Sequence, residues 1–289
     1  MSILCTAVIA AACSNSAHVE GSRRASREVR DTAVLLAAGD VAQCSPGSGE
    51  TAGLLDSLPG EIVVVGDAAY ASDNVPNPYT SCYSRTWGRH LGRTHPLIGN
   101  HDAQTLRMYF DYFGAAAGPR PDGYYSFDAG RWHVLALNST IDMRPGSPQV
   151  RWAAADLSRN RGPCAIAFMH HPRFSSGPHG SERLMRAMWE TLARAGVDVV
   201  VSAHDHIYER FAPMRADGTR DDTSGMRSFI VGTGGADRYP IVAPHPNSEQ
   251  ASGDAHGILK LTLFPGSYAW EFVPTARSEF RDSGRGTCH

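Results

Sequence analysis

The chain has 289 residues, 42% hydrophobic and 19% charged, with a formal net charge of −2. That is room for one large domain or two small ones, in a composition ordinary for a globular protein. The near-neutral balance argues against a polyanion-binding surface and so against nucleic acid as a partner. A small anionic substrate stays open, because bound metals would supply local positive charge.

The first segment, from Met1-Ser2-Ile3-Leu4 to Ala12-Cys13-Ser14, is short, apolar and rich in small residues, and a polar, Arg-containing stretch follows to about Arg30. Two readings stand: the end of an export signal, or a disordered leader. Ala10-Ala11-Ala12-Cys13 resembles a bacterial lipoprotein cleavage box and offers Cys13 as a lipid-anchor site, although the leucine three before the cysteine and a basic n-region are missing. The expected division is therefore a leader over 1–30 and a single folded domain over 31–289, in a bacterial protein secreted or attached to the cell envelope. No apolar stretch reaches the roughly 18 residues that a membrane span requires.

From Thr32 onward, apolar runs alternate with Gly- and Pro-rich loops. Thr32 to Ala38, Glu61 to Val65, Trp132 to Asn138, Cys164 to Met169 and Val197 to Ser202 fit buried strands, with a shorter run at Pro96-Leu97-Ile98. Gln149 to Asn160 and Ser181 to Ala195 fit helices. In the second, Leu184, Met185, Met188, Trp189 and Leu192 form one apolar face suited to a packed core. Met226 to Val231 reads as a strand, and Gly257 to Phe264 with Tyr268 to Val273 as a hairpin. Two stacked sheets with helices outside are expected. The long polar loops Ala71 to Trp87 and Asp237 to Ala255 are candidates for a site rim.

Six cysteines stand at 5, 13, 44, 82, 164 and 288. With the first two in the leader, four remain, allowing three pairings and two disulfides in an exported protein. None has CxxC spacing, which argues against a structural zinc site. Cys288 reads as a staple for the C-terminus, with Cys44 or Cys82 as its partner.

Five segments carry the chemistry: Gly39-Asp40, Gly66-Asp67-Ala68-Ala69-Tyr70, Gly99-Asn100-His101-Asp102, His170-His171-Pro172 and His204-Asp205-His206. Each follows an apolar run, the pattern of strand ends feeding one pocket. A single Gly-Asp is an ordinary turn, and Asn-His in a loop is often a hydrogen-bonded turn. Their recurrence beside three histidines favours a dinuclear metal centre. His204 and His206 end the strand that runs to Ala203, and residues two apart on a strand share a face, so both can point into one pocket.

These five segments, in this order, resemble the calcineurin-like metallophosphoesterases, and specifically the purple acid phosphatase branch, over Thr32 to Glu209. The resemblance implies an α/β fold: a four-layer α/β/β/α sandwich of two mixed β-sheets flanked by helices, with a dinuclear metal site at the strand ends. It implies Asp40, Asp67, Tyr70 and His206 as ligands of one metal, Fe(III) at the tyrosine site. It implies Asp67, Asn100, His170 and His204 for the other, Fe(II), Zn(II) or Mn(II), with Asp67 bridging. It makes His101 catalytic, with His179 as a second substrate-facing histidine, His171 a non-ligand neighbour and Tyr208-Glu209-Arg210 a support. The implied reaction is hydrolysis of a small phosphate monoester by attack of a metal-bound hydroxide. The alternative is a phosphodiesterase acting on cyclic nucleotides or other diesters at the same site. Two further readings, a non-catalytic binding module and a metal-storage or electron-transfer protein, fit the retained ligand set and the two extra histidines less well. The sequence departs from the branch at Ala203, where glycine is usual, and in lacking a glycine two after Asp40. It has no room for the N-terminal fibronectin-like domain of the large plant enzymes and resembles a compact bacterial form.

Overall fold

A computed structural model describes residues 31–160 and 162–289. The leader reading for residues 1–30, with its lipid-anchor cysteine, lies outside the described residues.

In chain order the strands are β1 (Ala33–Ala38), β2 (Glu61–Val64), β3 (Thr94–Pro96), β4 (Tyr125–Ala129), β5 (Trp132–Leu137), β6 (Cys164–Met169), β7 (Val199–Ser202), β8 (Tyr208–Phe211), β9 (Arg227–Val231), β10 (Ser248–Ser252), β11 (Gly257–Phe264), β12 (Ser267–Pro274) and β13 (Asp282–Thr287). The α-helices are α1 (Pro46–Ser57), α2 (Pro78–Ser81), α3 (Asn100–Gln104), α4 (Leu106–Phe113), α5 (Pro148–Arg159) and α6 (Arg186–Arg194). One sheet runs β13-β12-β11-β1-β2-β3 and the other β10-β8-β9-β7-β6-β5-β4. Both are mixed. β1, β2 and β3 are parallel in the first, as are β5, β6, β7 and β9 in the second.

Three apolar clusters account for the layers. Leu35, Val63, Val134, Ile166, Val201, Phe229 and Leu261 fill the space between the sheets. Their chain neighbours point outward: Leu36, Ile62 and Val64 pack under α1 and α4, and Leu135, Ala167 and Val200 under α5 and α6. Both faces of these strands are covered, which is why they read as unbroken aliphatic runs rather than alternating ones. Proline in the first turn of α1 and of α5 fits a position whose amide has no helical acceptor.

Several expectations change. The helix expected from Ser181 begins with a 3₁₀ turn at Arg183–Met185, and α6 follows. The turn swings Leu184 outward to 66% exposure, while Met185, Met188, Trp189 and Leu192 are buried as a core face. Pro96-Leu97-Ile98 is strand only at its first residue. The cysteines pair Cys44 with Cys82 and Cys164 with Cys288. The staple on Cys288 thus reaches the start of β6 in the opposite sheet, not the loops that hold Cys44 and Cys82. Among the described residues, no helix is long and apolar enough to cross a membrane.

Candidate metal centre

The parallel strands β1, β2, β6 and β7 deliver their C-terminal ends to one edge of the sandwich. Asp40 leaves β1 and Asp67 leaves β2, each with a left-handed backbone (φ +58° and +49°). The two turns run side by side, Asp40 N donating to Gly66 O at 3.1 Å and Val41 N to Asp67 O at 2.9 Å. Gly39 also ties the two sheets together, donating to Val231 O and accepting from Gly234 N, both at 2.9 Å. A methyl group on Gly39 would lie 2.5 Å from Cβ of Ala203, so the missing side chain at 39 makes room for the alanine. Gly99 has a similar cause: a Cβ there would sit 2.1 Å from Asp67 Oδ1. His204 and His206 follow β7 in a turn, His204 at φ +71°. They enter the site through that turn, not through strand alternation. Asp205 between them faces away, accepting from Ser175 Oγ and from His179 N (3.0 Å).

Two groups of donor atoms result. Tyr70 Oη lies 3.0 Å from Asp40 Oδ1 and 3.3 Å from His206 Nε2, and His206 Nε2 lies 3.4 Å from Asp40 Oδ1. Beside them, His170 Nε2 lies 3.1 Å from Asn100 Oδ1 and 3.3 Å from Asp67 Oδ2. The His204 ring stands 5.1 Å from the His170 ring, and its backbone N–H donates to Asp40 Oδ2 at 2.9 Å. Ligand atoms of Asp40, Asp67 and His170 all fall within 4.8 Å of one another, which brings the two groups together. Asp40, Asp67, His170 and His206 are buried, while Tyr70, Asn100 and His204 are half-buried at the mouth.

His101 lies in the first turn of α3. Its N–H donates to Asp67 Oδ1 at 2.8 Å. Its imidazole is 38% exposed, 4.3 Å from the Tyr70 ring, with Nε2 4.0 Å from Asp67 Oδ2. His179 is exposed and stacks on the His204 ring at 4.3 Å. His171 Nδ1 shares a hydrogen bond with the hydroxyl of Ser139 (2.8 Å), and its ring is 4.4 Å from that of His204.

The donor set suits metal ions. His170 Nδ1 donates to Val65 O at 2.9 Å and His206 Nδ1 to Asp237 O, so each ring turns its Nε2 toward the cluster, the usual backing for a ligating imidazole. Metal–donor bonds of about 2.0–2.2 Å place neighbouring donors roughly 3 Å apart, which is the spacing within both groups. Electrostatics point the same way. Burial, then the carboxylates of Asp40 and Asp67, push the Tyr70 phenol well above its ordinary value, so a phenolate there needs a cation. Burial works against a charge on His170, yet Asp67 and then Asp40 raise it to about 9. Burial also works against a charge on Asp40, but His206, His170 and His204 together hold it below the usual carboxylate range. His204 goes the other way, to about 2, through burial and the neighbouring His170 and His171.

Several further residues brace the donors. The Asp237 carbonyl and the Tyr239 ring, stacked on His206 at 4.0 Å, place the start of the loop after β9 at the rim. Glu209 on β8 accepts from Ser176 N at 2.9 Å, bracing the loop that carries His179. Asp102 accepts from the backbone of both neighbouring motif turns.

Fold and donor set together are those of a two-sheet α/β metalloprotein. Residues 20–208 match the calcineurin-like phosphoesterase family, well over half of the chain, and the chain belongs to that family. The family implies a dinuclear metal site, and within it the chain falls on the purple acid phosphatase-like branch. It is 29% identical over 184 residues to purple acid phosphatase 18 of Arabidopsis thaliana, covering 56% of this chain and 42% of the relative. With purple acid phosphatase 22 of the same plant the identity is 35% over 178 residues, 58% of this chain and 39% of the relative. The solved purple acid phosphatase from yellow lupin seeds (Lupinus luteus) superposes with a TM-score of 0.71 at 18% identity, covering 89% of this chain and 54% of that one, which is a likeness of fold. The chain spans about half the length of the curated relatives it matches, or somewhat less.

Proposed function

We propose that this protein hydrolyses small phosphate monoesters at a dinuclear metal centre. The observation that carries the reading is the convergence of Asp40, Tyr70 and His206 beside Asp67, Asn100 and His170 at donor–donor distances of 3.0–3.4 Å, with an uncommitted imidazole, His101, at the mouth. Asp40, Tyr70, His206 and Asp67 would hold one ion, and Asp67, Asn100, His170 and His204 the other. Tyr70 supports Fe(III) in the first position, because a phenolate is a hard donor; Fe(II), Zn(II) or Mn(II) suits the mixed oxygen and nitrogen donors of the second. When bound, such ions supply Lewis acidity toward phosphoryl oxygens and lower the pKa of water.

The protein's own groups do the rest. The carbonyls of Val65 and Asp237 fix the tautomers of His170 and His206. His101, anchored through its backbone to Asp67 and with its ring more than a third exposed, would give a proton to the departing alkoxide. His179, held over His204 by Asp205, would donate a hydrogen bond to the phosphoryl group. The relatives' names support the monoester reading. The two disulfides support an exported protein acting in an oxidising compartment.

The test is hydrolysis of a chromogenic monoester and the matching diester by one metal-replete preparation. Monoester preference is expected. Diester preference would reassign the same residues to a phosphodiesterase, and activity on neither would favour a binding module.

A further inference from the structure

Asp102 is fully buried behind the two donor groups and faces neither. Its Oδ2 accepts from Gly99 N at 3.0 Å and from Ala68 N at 3.2 Å. Gly99 precedes Asn100 and His101, and Ala68 follows Asp67, so one carboxylate oxygen fixes the backbone of both motif turns. The other oxygen, Oδ1, accepts from the hydroxyl of Tyr79 at 2.7 Å. Tyr79 is fully buried, packed against the rings of Tyr112 (5.7 Å), Phe113 (6.0 Å) and Tyr109 (6.3 Å). It sits on α2, which ends at Cys82, and Cys82 is bridged to Cys44, four residues beyond Asp40. A continuous path therefore joins the turns after β1, β2 and β3 from behind.

We infer that Tyr79, acting through Asp102, is a positioning residue for the metal centre, and that the Cys44–Cys82 bridge anchors the helix that presents it. The Tyr79 hydroxyl holds the carboxylate in the one rotation that serves both Gly99 and Ala68. Without it the carboxylate can turn, and the backbones carrying Asp67, Asn100 and His101 lose their common register. Small displacements of this kind are costly in catalysis. The inference rests on the metal-centre reading above.

The aromatic cluster supplies its own control. The hydroxyl of Tyr109 is buried in the same cluster with no hydrogen-bond partner. Tyr79→Phe and Tyr109→Phe each remove one buried hydroxyl and leave the ring. The metal-replete parent and both variants would be compared in the rate of metal loss to a chelator, in kcat and KM on a phosphate monoester, and in Tm. Tyr79→Phe is expected to lose metal about tenfold faster and to lower kcat about tenfold, the size of one lost buried hydrogen bond, with KM nearly unchanged. Tyr109→Phe should match the parent in metal retention and kcat. A second pair decides if Tyr79→Phe does not fold. Asp102→Asn can still accept both backbone N–H groups on its amide oxygen and donate its NH₂ to Tyr79, so it should recover most of the metal retention that Asp102→Ala loses. Equal metal-loss rates for Tyr79→Phe and Tyr109→Phe, or for Asp102→Asn and Asp102→Ala, would overturn the inference. A parent that retains metal but cleaves no phosphoester would sink only the proposed activity, and the chelator rates would still decide this point. A parent that takes up no metal would overturn both.

Discussion

His101 is the residue whose surroundings separate chemistry from metal binding. Its backbone N–H is committed to Asp67 at 2.8 Å, whereas its ring is more than a third exposed, lies against the Tyr70 ring and comes no nearer than 4.0 Å to the Asp67 carboxylate. Substituting Asn for His101 would remove the proposed proton donor and leave the backbone contact. Turnover should fall by about 10²–10⁴-fold, the usual worth of a positioned general acid, with both metals retained by elemental analysis; loss of metal would assign His101 to the ligand set instead. Tyr70→Phe tests the opposite case. It removes a donor 3.0 Å from Asp40 and should abolish any iron–phenolate absorption in Fe(III)-loaded protein; a band that survives would exclude Tyr70 as the phenolate. Residues of this kind were legible in the sequence because glycine, a short polar residue and a histidine recur at strand ends. Tyr79, Asp205 and Tyr239 were not, because their importance lies in contacts across 23 to 33 residues of chain (Tyr79 to Asp102, Tyr239 to His206), or in facing away from the site within a motif that faces it (Asp205).

At the scale of elements, the aliphatic strands β1, β2, β5, β6 and β7 announce themselves, since burial on both faces leaves a continuous apolar run. β13 does not. Its sequence, Asp282-Ser283-Gly284-Arg285-Gly286-Thr287, has poor strand propensity. It pairs with β12 because the rings of Trp270 and Tyr268 lie over Gly284 and Gly286, where added Cβ atoms would come within 2.2 and 2.4 Å of them. The strands β4 and β10 are hidden for a related reason: each lies at an edge of its sheet and is mostly only partly buried. β4 is packed through Tyr125 and Phe127 and is also stitched in by charge. His133 on β5 holds Asp128 of β4 at 2.9 Å through Nδ1 and Asp156 of α5 at 2.6 Å through Nε2. Burial lowers the His133 pKa, but its hydrogen bonds to Asp128 and Asp156 outweigh that, and the net shift is upward. A raised folded pKa gives stability that is fully present below the unfolded value of about 6.5 and is lost as pH rises through the folded value. His133→Gln should therefore destabilise more at pH 5.5 than at pH 8.5 in denaturant titrations. An equal or larger loss at pH 8.5 would show that the neutral ring, and not the charge, holds these three elements together.

Across the whole molecule the two disulfides have separate tasks, and their positions along the strands say which. Cys164 opens β6, and His170 follows its far end, so the Cys164–Cys288 bridge lies at the edge of the sandwich opposite the metal centre. It joins the sheet containing β6 to the segment after β13, the outermost strand of the other sheet, across 124 residues of sequence. Asp198 adds to the same corner, accepting from Ala165 N and His289 N at 2.9 Å each. A cross-link closing so long a loop acts chiefly by restricting the unfolded chain and is worth about 2–5 kcal/mol. For a domain of this size that corresponds to a fall in Tm on the order of 10 °C when it is removed. The double variant Cys164→Ala/Cys288→Ala should show that fall while keeping kcat, KM and metal content at 25 °C. The double variant Cys44→Ala/Cys82→Ala should lose metal faster at the same temperature, because its bridge holds the helix that carries Tyr79. Thermal melts paired with chelator-driven metal loss separate the two. If removing the Cys164–Cys288 bridge also speeds metal loss well below Tm, the two ends of the sandwich are coupled, and the sheets do not form a scaffold rigid enough to insulate the centre from the opposite edge.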